Sequence, residues 1–252
     1  MNFRRQLLVS CLTVFGLAAA AAAAGAQAQA QEVLRVGTDA TFPPMEFVDN
    51  GKRTGFDIEL VEAIGKAMNR KVEWVDIDFK GLIPGLISKR FDLAVSAIYI
   101  TDERKKVVDF TDAYYAGGLV AMVKDGSAIK SLADLDGKKV SVQVGTKSVG
   151  YLGTNHPKVQ LVEVEKNQEM FNLVDIGRAD AAVTGKPAAF QYVRTRGGLR
   201  VLDQQLTVEE YGMALRKDTP ELTRAVNGAI ARLKADGTYA QIVKKWFSNT
   251  GR

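Results

Sequence analysis

The sequence predicts an α/β protein of two lobes, each a central sheet flanked by helices, joined by two extended crossings. Three observations carry this. Apolar strand-like runs alternate with amphipathic helical stretches, the βαβα rhythm of parallel-rich sheets. The rhythm runs twice, interrupted at Tyr114-Tyr115-Ala116-Gly117-Gly118 and again over residues 208–215. Of the 252 residues, the roughly 220 that follow the first 30 are long for one α/β domain and comfortable for two small ones.

Residues 1–30 read as a cleaved signal peptide. Arg4 and Arg5 form a basic start, residues 7–24 an apolar run, and Ala28-Gln29-Ala30 a small-x-small cleavage site before Gln31. The run is too rich in Ala and too close to that site for a lasting membrane span. Leu8-Val9-Ser10-Cys11 has the form of a lipobox but precedes most of the apolar run, so it is taken as chance. The surroundings of Arg4-Arg5 fit twin-arginine export poorly. The expected address is the periplasm. Cleavage removes two cations and no acid, so the formal charge falls from +5 to +3. The remaining basic residues are dispersed, which argues against nucleic acid as a partner. The single Cys lies in the removed segment, so the mature chain has no disulfide and no thiol chemistry.

Residues 33–37 form a predicted buried strand. It ends in Thr38-Asp39-Ala40-Thr41-Phe42-Pro43-Pro44, where the prolines bar a helix. After a turn at Asp49-Asn50-Gly51 comes the clearest element, a helix over residues 55–68. Leu60, Val61, Ile64, Ala67 and Met68 recur at three- and four-residue spacing, with Glu59, Glu62 and Lys66 on the wet side. Asp57 stands where an N-cap would stand, after a turn at Gly55. A strand over 72–75, a loop at Phe79-Lys80-Gly81, a short helix over 82–88 and a strand over 93–97 follow. Thr101 is the expected cap of a helix opening Thr101-Asp102-Glu103-Arg104. The second series has a short helix at 131–135, a strand at 139–144 and a turn Gly145-Thr146-Lys147-Ser148 into a helix. It continues with a strand at 159–164, a helix at 168–176, a strand at 181–184 and a helix at 187–196. Helices over 220–235 and 239–247 close the chain. The expected division is 31–117 plus 209–252 for one lobe and 118–208 for the other, with a cleft between them.

The run of fourteen residues 55–68 matches the signature of the family 3 extracellular solute-binding proteins, the periplasmic amino-acid receptors of ABC importers. The resemblance extends over nearly all of the mature chain, through Asp39 to Phe47, Phe79-Lys80-Gly81-Leu82-Ile83-Pro84, Ile100-Thr101-Asp102-Glu103-Arg104, Gly177-Arg178-Ala179-Asp180-Ala181 and Lys245-Trp246-Phe247. Within the family the chain looks most like glutamine-binding protein. The resemblance implies a type II periplasmic binding protein fold and a two-lobed monomeric clamp. It implies closure on one polar amino acid or related small carboxylate, delivery to an inner-membrane ABC permease, and no cofactor or metal.

It also implies the site. The Arg after Thr-Asp-Glu, Arg104, would grip the ligand carboxylate with its planar fork; the plain alternative is a surface Arg paired with Asp102 or Glu103. Thr146, at a helix start after Gly145, would meet the same carboxylate or simply cap its helix. Lys147 would add charge there or point into water. Phe42 and Phe79 match aromatic positions that sandwich the ligand side chain, against the ordinary role of Phe in a core. Ser96, Ala97 and Tyr99 match the segment whose backbone and hydroxyls touch the ligand. Tyr99 replaces a smaller residue and would narrow the pocket. Asp39 would contact the ligand side chain or stabilise its own turn. Gln143 replaces a basic residue of the glutamine-type relatives. At Gly185, relatives that bind α-amino acids carry an Asp that receives the α-ammonium. With Lys147 and Lys186 near, an anionic ligand enters consideration.

Two other functions remain open. Cyclohexadienyl dehydratases resemble this family but need a carboxyl in the cleft as general acid, and Gly185 cannot supply it. A ligand-sensing module would carry membrane spans or output domains. His156, the only histidine, is expected to face solvent. No Ser/His/Asp set, metal cluster or phosphate loop is present, so the expectation is a binding protein and no enzyme.

Overall fold

The computed structural model of the protein describes residues 32–248; the expected signal peptide lies outside them. Strand β1 (Val33–Thr38) buries Leu34 and Val36 completely. A small meander follows: β2 (Thr41–Phe42), β3 (Glu46–Asp49) and β4 (Lys52–Thr54). Helix α1 (Phe56–Ala67) lays Leu60, Val61 and Ile64 on the core at zero exposure, each worth about 1.5–3 kcal/mol of hydrophobic stabilisation. Ala67, expected on that face, is exposed because it ends the last turn. Asp57 is not the cap either. The cap position is Gly55, and the Asp57 carboxyl turns inward to accept from Ala97 N–H and the Tyr114 hydroxyl.

β5 (Lys71–Asp76), a 3-10 turn at Phe79–Gly81, α2 (Leu82–Ile87), β6 (Leu93–Ala94), α3 (Asp102–Lys105) and β7 (Asp109–Phe110) complete the first run. Thr101 caps α3 as expected, its hydroxyl accepting from Arg104 N–H at 3.2 Å. The chain crosses through β8 (Tyr115–Ala116) into β9 (Leu119–Lys124). There follow β10 (Lys139–Gln143), α4 (Lys147–Asn155), β11 (Gln160–Val164), α5 (Asn167–Asp175), β12 (Ala181–Gly185), α6 (Lys186–Arg196) and β13 (Leu199–Gln205). Residues 131–135 hold only a 3-10 turn at Ala133–Leu135, organised by the Asp134 carboxylate accepting from Lys130 and Ser131 N–H. The return passes through β14 (Glu210–Tyr211) and β15 (Ala214–Leu215), and α7 (Pro220–Ala235) and α8 (Thr238–Phe247) close the described chain.

Two five-stranded sheets result, in the orders β5-β1-β6-β15-β7 and β11-β10-β12-β9-β13. Each is parallel over its first three strands and antiparallel beyond. The return segment expected over 208–215 is shorter than that, because Ala214–Leu215 already pairs within the first sheet. The two crossings pair with each other as a ribbon, Tyr115 opposite Tyr211 and Ala116 opposite Glu210. Gly118 at its edge has φ +99, and a Cβ there would fall 2.1 Å from Gln205 Nε2, so only glycine turns the chain at that point.

Candidate functional site

Parallel strands converge their C-terminal ends on one edge, the usual place for a ligand in α/β sheets. Asp39 follows β1, Phe79 follows β5, and Ser96 and Ala97 follow β6. From the second sheet, Gln143 ends β10, Thr146 opens α4, and Gly185 ends β12. These residues, with Phe42 and Tyr99, line one enclosed cavity between the sheets. Arg104 and Lys147 line a wider groove alongside, of about 660 Å³, and Phe79 and Thr146 belong to both. The cavity itself measures about 30 Å³, room for about two waters.

Arg104 is the hub of the groove. Its Nη1 donates to Tyr99 O at 2.9 Å and its Nη2 to Gly145 O at 3.3 Å, so it reaches from the first sheet to the second. Its guanidinium lies 5.6 Å from the Phe79 ring centroid. Among the described residues no carboxylate lies at ion-pair distance from it, so the pairing with Asp102 or Glu103 does not form. Burial pulls its pKa down to about 10, which still leaves it charged at neutral pH. Thr146 does not cap α4: its hydroxyl donates back to Gln143 O at 2.7 Å. The first amides of a helix have no partner within it, and Thr146 and Lys147 at the start of α4 line the groove. Lys147 adds no free charge, because Nζ pairs with Glu209 at 2.5 Å. Lys186 turns away to Gln205 and is exposed. His156 is half-buried, its ring 5.9 Å from that of Tyr151.

Asp39 is 4% exposed and its carboxylate is saturated. Oδ2 accepts from Phe79 N–H and Gln143 Nε2, both at 3.0 Å, and Oδ1 from the Thr41 hydroxyl at 3.0 Å and Lys166 Nζ at 3.1 Å. Gln143 accepts from Asn167 Nδ2 at 2.7 Å in turn. At the other end, a Cβ on Gly185 would sit 2.5 Å from the Tyr211 hydroxyl and 3.0 Å from Phe42 Cζ. The Tyr99 hydroxyl donates to Gly118 O at 2.8 Å and lies 3.2 Å from the Tyr211 hydroxyl. Two phenols thus occupy the space a side chain at 185 would need.

Lys166, Asn167, Tyr211 and Glu46 also belong to the cavity network but escaped the sequence reading. Lys166 and Asn167 directly follow β11, so the strand-end rule would have found them. Tyr211 is one aromatic in a short return strand, and no local pattern marks it.

A family model for bacterial extracellular solute-binding proteins, family 3, matches residues 34–249. The chain belongs to this family. As a family 3 solute-binding protein it has the two-lobed α/β architecture of its solved neighbours. It is 36% identical over 218 residues to the L-cystine-binding protein TcyJ of Escherichia coli strain K12, covering 85% of this chain and 82% of that one. An ancestral arginine-binding protein solved with arginine is 43% identical with a TM-score of 0.82, covering 85% of this chain and 98% of that chain; an ancestral arginine-binding protein solved with glutamine is likewise 43% identical with a TM-score of 0.82. An ancestral amino-acid-binding protein described as a precursor of cyclohexadienyl dehydratase is 44% identical with a TM-score of 0.81, covering 85% and 95%. Among the described residues, no helix is long and apolar enough to cross a membrane.

Proposed function

We propose that this solute-binding protein captures a small ligand bearing a carboxylate, of the amino-acid or related organic-acid class, and delivers it to an inner-membrane ABC permease from the periplasm. The carrying observation is Arg104: a partly buried guanidinium in the cleft whose acceptors are two neutral carbonyls. A cation in such a place lacks its natural complement, and a ligand carboxylate against Arg104 and the start of α4 supplies it. Closure is a rotation of the segment 118–208 against 31–117 and 209–252 about the paired crossings, acting as a monomer.

The carboxylate anchor is kept, and the ammonium anchor differs from the family pattern. Gly185 offers no acid, Asp39 is neutralised by Lys166, and the nearest groups at that end are phenols. Small organic acids therefore compete with amino acids, glutamine included. The same arrangement favours binding over catalysis: of the carboxyls lining the cavity, Asp39 is saturated and Glu46 has no exposed surface and is engaged by the Ser96 hydroxyl. The two related proteins solved or named with arginine, glutamine and cystine support the ligand class.

A thermal-shift screen of the proteinogenic amino acids and of small mono- and dicarboxylates, followed by isothermal titration, tests this. Carboxylate ligands raise the midpoint and Arg104→Ala removes the shift. A panel in which none does, or an Arg104→Ala variant that binds as well as wild type, overturns the proposal. Tight glutamine binding that survives Asp39→Ala counts against a changed ammonium anchor.

A further inference from the structure

Two acids meet behind the cavity wall. Glu46 on β3 and Asp57 on α1 are both fully buried. Glu46 Oε1 accepts from the Ser96 hydroxyl at 2.7 Å. Asp57 Oδ2 accepts from Ala97 N–H and from the Tyr114 hydroxyl, both at 2.9 Å. The backbone sets the two acids side by side: Asp57 N–H donates to Met45 O at 2.8 Å, next to Glu46 in the chain, and the two carboxyls hold the neighbouring residues Ser96 and Ala97. The oxygen left over on each, Glu46 Oε2 and Asp57 Oδ1, is buried and finds no donor elsewhere.

Two ionised carboxylates in contact away from water repel each other, and each would leave one oxygen unsatisfied. A single proton between them removes the repulsion and provides the missing donor. The charged and titratable groups facing the pair are Asp39, Tyr114, Tyr211 and Tyr239. None of them is a cation, and Lys166 is engaged by Asp39 and Asp78.

We propose that Glu46 and Asp57 hold one proton between them and act as a positioning pair, clasping the Ser96–Ala97 stretch of the cavity wall to Tyr114 beside the crossings. Ala97 needs such a clasp, because it sits at φ 47 in the left-handed region. Tyr114 carries the connection onward, its N–H donating to Tyr211 O at 3.0 Å. Glu46 backs the cavity through Ser96 with no exposed surface of its own, and the inference holds whichever ligand the cleft takes. Burial raises both carboxyls, Asp57 to about 6 and Glu46 well above its usual range, in line with a retained proton.

A pair of amide substitutions tests the shared proton. Glu46→Gln keeps an oxygen for Ser96 and turns an NH₂ toward Asp57. Asp57→Asn is its mirror image, keeping an oxygen for Ala97 and Tyr114. Each single variant therefore retains one donor and one acceptor, whereas the double variant sets two NH₂ groups against each other. At pH 7 each single variant melts within a few degrees of wild type, and the double variant loses at least twice the sum of the two single shifts. An additive double variant, or single variants that each melt well above wild type as released repulsion would require, overturns the proposal. Infrared spectroscopy decides independently of folding of the variants. Wild type at pH 7 shows a protonated-carboxyl C=O band, because exposed acids are ionised there; its absence refutes the shared proton. The folded pair keeps a proton that the unfolded chain releases above the ordinary carboxylate range. Wild-type stability therefore falls as pH rises from about 5 through the titration of the pair, and Glu46→Gln flattens that slope.

Discussion

The two walls of the cleft are built by different means. The wall from the first sheet is braced from behind. Ser96 and Ala97 are held by Glu46 and Asp57, and Arg104 rises from a helix capped by Thr101. The wall from the second sheet presents neutral groups at strand ends, Gln143, Thr146 and Gly185, and sends Lys166 across to Asp39. The contrast teaches that charge recognition is preset on one wall while the other supplies fit and completion. On the proposed closure, a ligand docks on the braced wall and the second wall moves over it.

The largest effect that would test this contrast falls on stability. Asp57→Ala strands two buried donors, Ala97 N–H and the Tyr114 hydroxyl, and should cost about 2–6 kcal/mol in urea unfolding at about 1–3 kcal/mol per unsatisfied group. Arg104→Ala should weaken binding of a ligand found in the screen by about 1.5–3 kcal/mol, roughly 10- to 150-fold by titration calorimetry. Arg104→Lys should recover only part, since an ammonium lacks the fork. If Thr146→Ala costs more affinity than Arg104→Ala, the assignment of charge recognition to the first wall fails. Gly185→Ala should cost about 1–3 kcal/mol through overlap with the Tyr211 hydroxyl. Adding Tyr211→Phe should return part of that loss in thermal unfolding, and no recovery would mean the phenol pair does not shape this end. The smallest effect belongs to the rim: Lys80→Ala removes the solvent-screened pair with Glu165 at 2.5 Å, both half exposed, and should leave the thermal midpoint indistinguishable from wild type.

Much of this was legible in the sequence, for physical reasons. The alternation of strand and helix fixed the class of fold, and the 3.6-residue spacing of Leu60, Val61 and Ile64 located the principal helix. The proline and the acidic first turns marked α3 and α7 to within a residue or two. What failed did so where tertiary contacts outrank local preference. Asp57 has the identity and position of a cap, yet a buried hydroxyl and a buried amide compete for it. β13 was missed because Arg200, Asp203 and Gln204 break the apolar run on an edge strand that buries only Leu199 and Leu202 deeply. Of the expected site, nine residues share one cavity and Arg104 and Lys147 stand in the adjoining groove. Lys147 and Lys186 found ion-pair or amide partners that no one-dimensional pattern announces.

Tyr211 belongs at once to the paired crossings and to the cavity wall. Points near a rotation axis travel least. If closure turns about the paired crossings as proposed, the floor of the cleft, where Tyr99 and Tyr211 meet Gly185, stays assembled, while the contact of Lys166 with Asp39 between the two sheets is made and broken.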